Sequence, residues 1–97
     1  MTQNATLQIT DHADRSRFEA HLGGAPAGRL DYHRSPGRID FTHTVVNEAY
    51  AGRGVGSTLV REALDAVRAE GGVLVIPTCP YVKGWIDKHP DYADLLA

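Results

Sequence analysis

The sequence NEAYAGRGVGSTLVREALDAVRAEGG, residues 47–72, decides the fold because it joins a glycine-rich turn to an amphipathic helix. Three glycines alternate in Gly52-Arg53-Gly54-Val55-Gly56, and residues 57–70 then carry apolar side chains at helical spacing. The apolar stripe consists of Val55, Leu59, Val60, Ala63, Leu64, Ala66 and Val67. Gly71 and Gly72 follow, as is typical of a helix end. The stretch predicts a helix with one buried face, entered through a tight turn.

The residues before this helix predict an antiparallel sheet with short turns, because apolar and polar side chains alternate along them. The predicted strands are residues 6–10, 17–22, 27–33 and 38–46. Gly23-Gly24-Ala25-Pro26 and Ser35-Pro36-Gly37 are predicted turns. In the last strand, strict alternation predicts that Ile39, Phe41, His43 and Val45 share one face, and that Asp40, Thr42, Thr44 and Val46 share the other.

The residues after the helix predict one more strand and a short helix. The apolar run VLVIP, residues 73–77, predicts a buried strand that lies inside the sheet and is parallel to a neighbour. Pro80 suits the first position of a helix, so Thr78 or Cys79 is the expected N-cap. Val82, Trp85 and Ile86 form its apolar stripe, and a short helical turn is expected in residues 91–97. The predicted class is α+β, or mixed α/β, with helices packed on a sheet.

Length and charge narrow the possible functions. A chain of 97 residues suits a single domain, residues 1–97. Ten Lys and Arg against twelve Asp and Glu give a formal net charge of −2, which predicts neither nucleic acid nor membrane as a partner. The N-terminus MTQNATLQIT has no signal-peptide pattern, and the single Cys79 cannot form an internal disulfide. A cytoplasmic protein is therefore expected, and the isolated histidines predict no metal site.

The glycine loop is a candidate anion site. Glycines let the backbone curl so that successive N–H groups and a helix N-terminus point to one spot, which suits phosphate. The alternative is a tight turn that needs glycine only for its geometry. No Lys follows Gly56, which argues against a Walker loop, and Ser57 stands where a dinucleotide fingerprint requires glycine. The pyrophosphate of coenzyme A remains the best-fitting ligand.

The loop resembles the coenzyme-A loop of the GNAT N-acetyltransferase superfamily, usually written R/Q-x-x-G-x-G/A. In this chain it reads Ala51-Gly52-Arg53-Gly54-Val55-Gly56, so alanine stands where the family has Arg or Gln. Further segments resemble a branch of small single-domain members and extend the likeness over residues 27–92. These segments are His43-Thr44-Val45-Val46, Cys79-Pro80-Tyr81-Val82 and His89-Pro90.

The resemblance implies a GNAT-like fold and acetyl-CoA as the acetyl donor. The pantetheine arm would lie between the strand of residues 38–46 and that of residues 73–77, which splay apart in the family. Backbone groups of Val45 and Val46 would bind this arm. The implied cofactor-binding residues are Val45, Val46, Ala51, Gly52, Arg53, Gly54, Val55, Gly56, Ser57 and Thr58.

Three residues are candidates for catalysis. His43 suits a general base at neutral pH, or is a core histidine with a satisfied ring. Cys79 at a helix N-terminus would feel a dipole that favours the thiolate, and it would act as nucleophile or proton donor, or be an inert buried thiol. Tyr81 would donate to the departing thiolate, or pack and contribute to recognition.

Two functions follow from these residues. The first is an N-acetyltransferase that moves an acetyl group from acetyl-CoA to an amine, either on a small molecule or exposed on a protein. The second is a module that senses acetyl-CoA or coenzyme A, or mediates interactions, without useful catalysis. Ala51 favours the second, whereas His43, the loop and Cys79 together favour the first.

Overall fold

A computed structural model describes residues 6–97 and shows a five-stranded mixed sheet with two α-helices, which confirms the predicted α+β class. The elements in chain order are β1 (Leu7–His12), β2 (Arg17–Leu22), β3 (Ala25–Ser35), β4 (Arg38–Val46), α1 (Val55–Glu70), β5 (Leu74–Ile76) and α2 (Pro80–Asp87). Short 3-10 helices span Ala13–Arg15, Glu48–Tyr50 and Pro90–Leu95. The predictions on a leader sequence and on one domain over residues 1–97 also involve residues 1–5, which lie outside the described residues.

The strands follow one another across the sheet in the order β1-β2-β3-β4-β5. The first four pair antiparallel, and β5 pairs parallel to β4 after the crossover through α1. Helix α1 packs on β1 to β4 and also contacts α2. The core comprises Phe18, Leu30, Ile39 and Phe41 from the sheet, Leu59, Val60, Leu64 and Val67 from α1, and Val82, Trp85 and Ile86 from α2.

The sheet face away from α1, here called the open face, is polar. In β2, the half-buried Arg17 and Glu19 alternate with the buried Phe18 and Ala20. In β3, the half-buried Arg29 lies among buried residues in the same way. The Nε of Arg17 donates to Glu19 at 2.8 Å, and this hydrogen bond is the main cause that holds the pKa of Glu19 below its usual value. Ion pairs within β2, and between Arg29 and Asp31 within β3, therefore take the place of apolar packing on this face.

A β-bulge in β4 overturns the predicted alternation of that strand. Asp31 of β3 pairs with His43, and the next residue, Tyr32, pairs with Phe41, so Thr42 is the extra residue. One unpaired residue reverses the side-chain alternation, because successive residues of a strand point to opposite faces. His43 is therefore exposed instead of sharing the buried face of Phe41.

Three smaller predictions also differ from the structure. The strand β5 lies at the end of the sheet and is not interior, and of its residues Val75 is buried while Ile76 is 38% exposed. Ala66 is exposed on α1 rather than part of its buried stripe. Ala25 and Pro26 belong to β3, since Gly23 and Gly24 alone form the turn that precedes it.

Close packing of α1 on the sheet predicts opposite effects for two glycine substitutions. A Cβ on Gly28 would lie 2.8 Å from the carbonyl oxygen of Val45 and 3.2 Å from Val55, so Gly28→Ala forces the backbone apart. We expect it to lower the free energy of unfolding by about 1–3 kcal/mol. Gly84→Ala in α2 meets nothing within 4 Å and should raise it by about 0.5–1 kcal/mol. Urea denaturation measures both, and equal effects would contradict the packing.

Candidate functional site

The site is built where β4 and β5 part. The two strands pair only at Arg38, Ile39 and Asp40 of β4. Beyond them the N–H of Cys79 donates to the carbonyl of Phe41 at 2.8 Å, and the chain then turns into α2. Proline lacks the N–H that a ladder needs, and Pro77 directly follows β5. Within residues 6–97, the edge of β4 therefore has no strand partner from Thr42 to Val46.

A cleft of about 360 Å³ occupies this gap and extends to the start of α1. Its walls come from β4, the 3-10 helix before the glycine loop, the loop itself and the first turns of α1 and α2. The lining residues are Thr44, Val46, Tyr50, Ala51, Gly52, Gly54, Val55, Gly56, Ser57 and Tyr81. The cleft thus joins an open strand edge to a helix N-terminus.

The glycine loop presents unpartnered backbone N–H groups to this cleft. Gly52 and Gly54 have φ of 79° and 74°, a region that favours glycine, and Gly54 is the N-cap of α1. No side chain of the described residues caps this helix, and its first hydrogen bond runs from Thr58 N–H to Gly54. The N–H groups of the first turn therefore remain free, and the helix dipole adds partial positive charge there. An anion is the ligand that this arrangement suits.

The third glycine of the loop has a different role. A Cβ on Gly56 would lie 2.9 Å from the phenol oxygen of Tyr81, so Gly56 makes room for that ring. A Cβ on Gly52 or Gly54 would meet nothing within 4 Å. The phenol of Tyr81 is 47% exposed and stands at the mouth of the cleft. The first two glycines thus serve backbone conformation, and the third serves packing between α1 and α2.

Cys79 lies at the inner end of the gap, against β4. It is the N-cap of α2, one of the two predicted for that position, and is 4% exposed. Its Sγ lies 3.2 Å from the Oγ1 of Thr44, and its side chain accepts no N–H of the helix. Thr44 was not among the predicted site residues, because no local pattern relates it to Cys79, 35 residues further along the chain. The bulge at Thr42 turns it toward Cys79.

His43 and Val45 lie on the other side of β4. His43 is exposed and pairs in register with Asp31, and Val45 lines a hollow on the open face together with Arg29 and Asn47. The structure therefore brings Thr44 and Val46 to the cleft, with Cys79 buried against Thr44, but not the side chain of His43. A group that reached His43 would have to approach from the open face.

The remaining predicted binding residues lie in or beside the cleft. The hydroxyl of Ser57 lines it and accepts a hydrogen bond from Trp85 Nε1 at 2.9 Å. Arg53 is exposed, with its guanidinium 5.9 Å from the ring centre of Tyr50, a lining residue. Thr58 is half-buried one turn into α1 and does not line the cleft.

The described residues show neither a metal cluster nor a membrane-spanning helix. Residues 6–97 contain no group of three or more His, Cys, Asp or Glu side chains that could hold a metal ion. Within the same range, neither helix has the length and apolar character that crossing a membrane requires.

Comparison with known proteins identifies relatives along nearly the whole chain. The family model described as GCN5-related N-acetyl-transferase matches residues 17–95. Protein NATD1 of Gallus gallus is 28% identical over 92 residues, which cover 93% of this chain and 83% of that protein.

Solved structures share the fold. The solution structure of a GCN5-like protein from Staphylococcus aureus gives a TM-score of 0.69 at 20% identity, covering 99% of this chain and 91% of that one. The crystal structure of ribosomal-protein-alanine N-acetyltransferase from Brucella melitensis gives 0.54 at 19% identity, covering 84% and 60%. At these identities the likeness is one of fold.

The burial of Cys79 predicts slow reaction of its thiol in the native protein. With the thiol 4% exposed and its Sγ against Thr44, a disulfide reagent must wait for local opening of the gap. We expect labelling to be about a hundredfold slower than in urea, measured by release of the coloured thiolate. The urea-unfolded chain is the control, and equal rates would mean that the thiol is open to solvent in the folded state.

Proposed function

The chain belongs to the GCN5-related N-acetyltransferase family, and we propose that it transfers an acetyl group from acetyl-CoA to an amine. The observation that carries this proposal is the cleft, in which an unpaired strand edge meets an uncapped helix N-terminus. The first can bind an extended amide-containing arm and the second an anion, and coenzyme A contains both. The proposed acceptor is an amine, either on a small molecule or exposed on a protein.

The pyrophosphate is held by the glycine loop in this proposal. The free N–H groups in the first turn of α1 donate to its oxygens, and the helix dipole favours its charge. Ala51 supplies no polar contact, although the family usually has Arg or Gln at this position. Arg53, whose guanidinium lies over Tyr50 beside the cleft, is the cation within the loop.

The pantetheine arm runs along the open edge of β4. Its amides pair with backbone groups of Val45 and Val46 as a short added strand would. This places the thioester at the inner end of the gap, where Thr44 and Cys79 lie 3.2 Å apart. The buried wall excludes water from that end, which limits hydrolysis of the thioester.

The transfer itself is direct in this proposal. The amine nitrogen attacks the acetyl carbon, the carbon–sulfur bond breaks, and coenzyme A leaves as a thiolate. The pair of Thr44 and Cys79 donates a proton to that thiolate, since both carry a hydrogen and lie at the expected position. His43 takes the proton of the amine from the open face, where it is exposed. Tyr81, at the mouth, contributes to recognition of the arm.

Burial argues against a stable acetyl-cysteine in this protein. The thiol of Cys79 is packed against β4, so an acceptor amine would have no open path to an acetyl group carried on it. Proton donation needs only that the leaving sulfur lies beside the pair. We therefore favour Cys79 as an acid over Cys79 as a nucleophile.

Ala51→Arg is predicted to increase affinity for acetyl-CoA. It restores the cation that the family pattern has at the edge of the cleft, where residue 51 is exposed and lines the wall. Isothermal titration should show binding about threefold to tenfold tighter than in the natural chain. Ala49→Arg is the matched control, because it adds the same charge outside the lining. An equal gain in both variants would contradict a pyrophosphate site in the loop.

Turnover is predicted to depend on His43 and Cys79. Release of the coenzyme A thiol should be measured with acetyl-CoA and a panel of amines, including lysine peptides and polyamines. His43→Ala should lower kcat about a hundredfold, whereas His33→Ala, another exposed histidine, should leave it unchanged. Cys79→Ala should lower kcat with little effect on KM for acetyl-CoA. Cys79→Ser should retain a higher kcat than Cys79→Ala.

The same measurements separate the two functions. Binding of acetyl-CoA without turnover on any amine would favour a sensor or interaction module. Ala51 is the observation that supports this second function. Absence of binding would refute the acetyltransferase and the sensor alike.

A further inference from the structure

The hollow on the open face, here called the open-face hollow, lies across three strands. It has a volume of about 410 Å³, and its lining includes Arg17 and Glu19 from β2, Arg29 from β3 and Val45 from β4. Val46, the next residue of β4, lines the cleft. The hollow and the cleft therefore lie on the two sides of the same stretch of β4.

Guanidinium groups form the accessible layer of the open-face hollow. Three arginines accompany Glu19, which is the one acid among the described residues that line it. The side chain of Glu19 is 12% exposed, whereas those of Arg17 and Arg15, which both pair with it, are 34% and 55% exposed. Arg29 is 40% exposed and pairs with Asp31. A ligand that enters the hollow therefore meets cations before it meets the carboxylate of Glu19.

Two of these arginines keep their terminal nitrogens available. Arg17 donates through Nε to Glu19 at 2.8 Å, and Arg29 donates through Nε to Asp31 at 3.2 Å. Within residues 6–97, neither guanidinium uses Nη1 or Nη2 in a hydrogen bond. The terminal N–H groups of arginine form a fork that binds a carboxylate through two parallel hydrogen bonds. The internal pairs thus hold each side chain and leave its fork for a ligand.

The register of the sheet sets the spacing of the two forks. Arg17 pairs with Asp31 across β2 and β3, and Glu19 pairs with Arg29, so the two arginines are diagonal neighbours. Diagonal neighbours in an antiparallel pair lie about 7–8 Å apart. Alternate residues of an extended chain are about 7 Å apart and point the same way. Two carboxylates on alternate residues of an extended segment therefore match the two forks.

His43, the proposed base, lies beside the open-face hollow. Arg29 pairs with Val45 across β3 and β4, and Asp31 pairs with His43. His43 is thus two residues along β4 from the lining residue Val45, a span of about 7 Å. An acceptor whose amine is at His43 can therefore place its neighbouring groups over the arginines.

We propose that the acceptor is a lysine flanked by acidic residues in an extended protein segment, and that Arg17 and Arg29 select it. The lysine amine lies at His43, and the acidic side chains bind the two guanidinium forks. Arg17 and Arg29 are specificity-determining residues in this scheme and take no part in the transfer of the acetyl group. The proposal rests on the proposed function, which requires only that the acceptor be an amine.

The exposure of the arginines favours a protein segment over a free small amine. Sites for small molecules bury most of their ligand in a concave pocket. Arg17 and Arg29 are 34% and 40% exposed, so a ligand that they hold remains partly in water. An extended segment suits such a surface, because it gains affinity from several separate contacts along its length.

Paired peptides test the selection. Release of coenzyme A should be measured at saturating acetyl-CoA with two blocked peptides of equal length, each with a single central lysine. Asp and Glu flank the lysine in the acidic peptide, and Asn and Gln replace them in the neutral one. We expect kcat/KM for the acidic peptide to be about tenfold higher, because two carboxylates each gain a charged partner.

Substitution of the arginines tests where the selection arises. Arg17→Gln and Arg29→Gln should each lower kcat/KM for the acidic peptide about threefold to fivefold, through a higher KM. The loss should be confined to that peptide. Arg61→Gln is the control, because Arg61 is an exposed residue of α1 that pairs with Glu62 outside the hollow. Equal losses for both peptides, or no loss for either, would overturn the proposal.

A conservative variant guards against a folding defect. Arg17→Lys keeps a cation beside Glu19 but removes the fork. Its thermal unfolding should match that of the natural chain, while its preference for the acidic peptide should fall about threefold. An unchanged preference in a folded Arg17→Lys would mean that the fork of Arg17 does not bind the acceptor.

The outcomes also separate this proposal from the proposed function. If the natural chain acetylates both peptides equally well, the hollow does not select the acceptor and the transferase proposal stands. If 6-aminohexanoate, a small amine with a carboxylate, is a better acceptor than either peptide, the protein segment is the wrong occupant. If no amine releases coenzyme A, the proposed function is wrong and the assignment of the acceptor falls with it.

Discussion

The parting of β4 from β5 is the constraint on which the rest of the structure depends. Three paired residues hold the strands together, and one further hydrogen bond, from Cys79 N–H to Phe41, closes the gap at its inner end. Pro77 and Pro80 make the parting unavoidable, because neither can donate to a ladder. Three features follow from this short pairing of β4 with β5: the open edge of β4, the position of Cys79 and the nearness of α2 to α1.

The cleft and a second hollow along α2 share Ser57 and Tyr81, so they meet at the first turn of α1. Together they form one continuous depression large enough for a ligand. Tyr81 stands at their junction, with its ring in the space that Gly56 leaves free. The hydrogen bond from Trp85 to Ser57 fixes the distance between the two helices at the same point. The chain therefore combines ligand binding with the packing of its helices, and the same few residues serve both.

Local signals predicted much of the fold. The spacing of Leu59, Ala63 and Val67 predicted α1, and Pro80 predicted a helix start with Thr78 or Cys79 as its N-cap, since both effects act within a few residues. The bulge at Thr42 could not be predicted in this way, because which strand gains a residue depends on its partner. For the same reason the contact of Thr44 with Cys79, 35 residues apart, could not be predicted from local patterns.

Leu96 and Ala97, which follow the last 3-10 helix, cover the outer side of β5. Val75 forms a parallel bridge with Leu96, and the N–H of Ala97 donates to the carbonyl of Val75 at 2.9 Å. A short parallel strand at the end of a sheet would otherwise offer its backbone as a template for another chain. The two added contacts occupy that template, so this side of the molecule is protected against edge-to-edge aggregation.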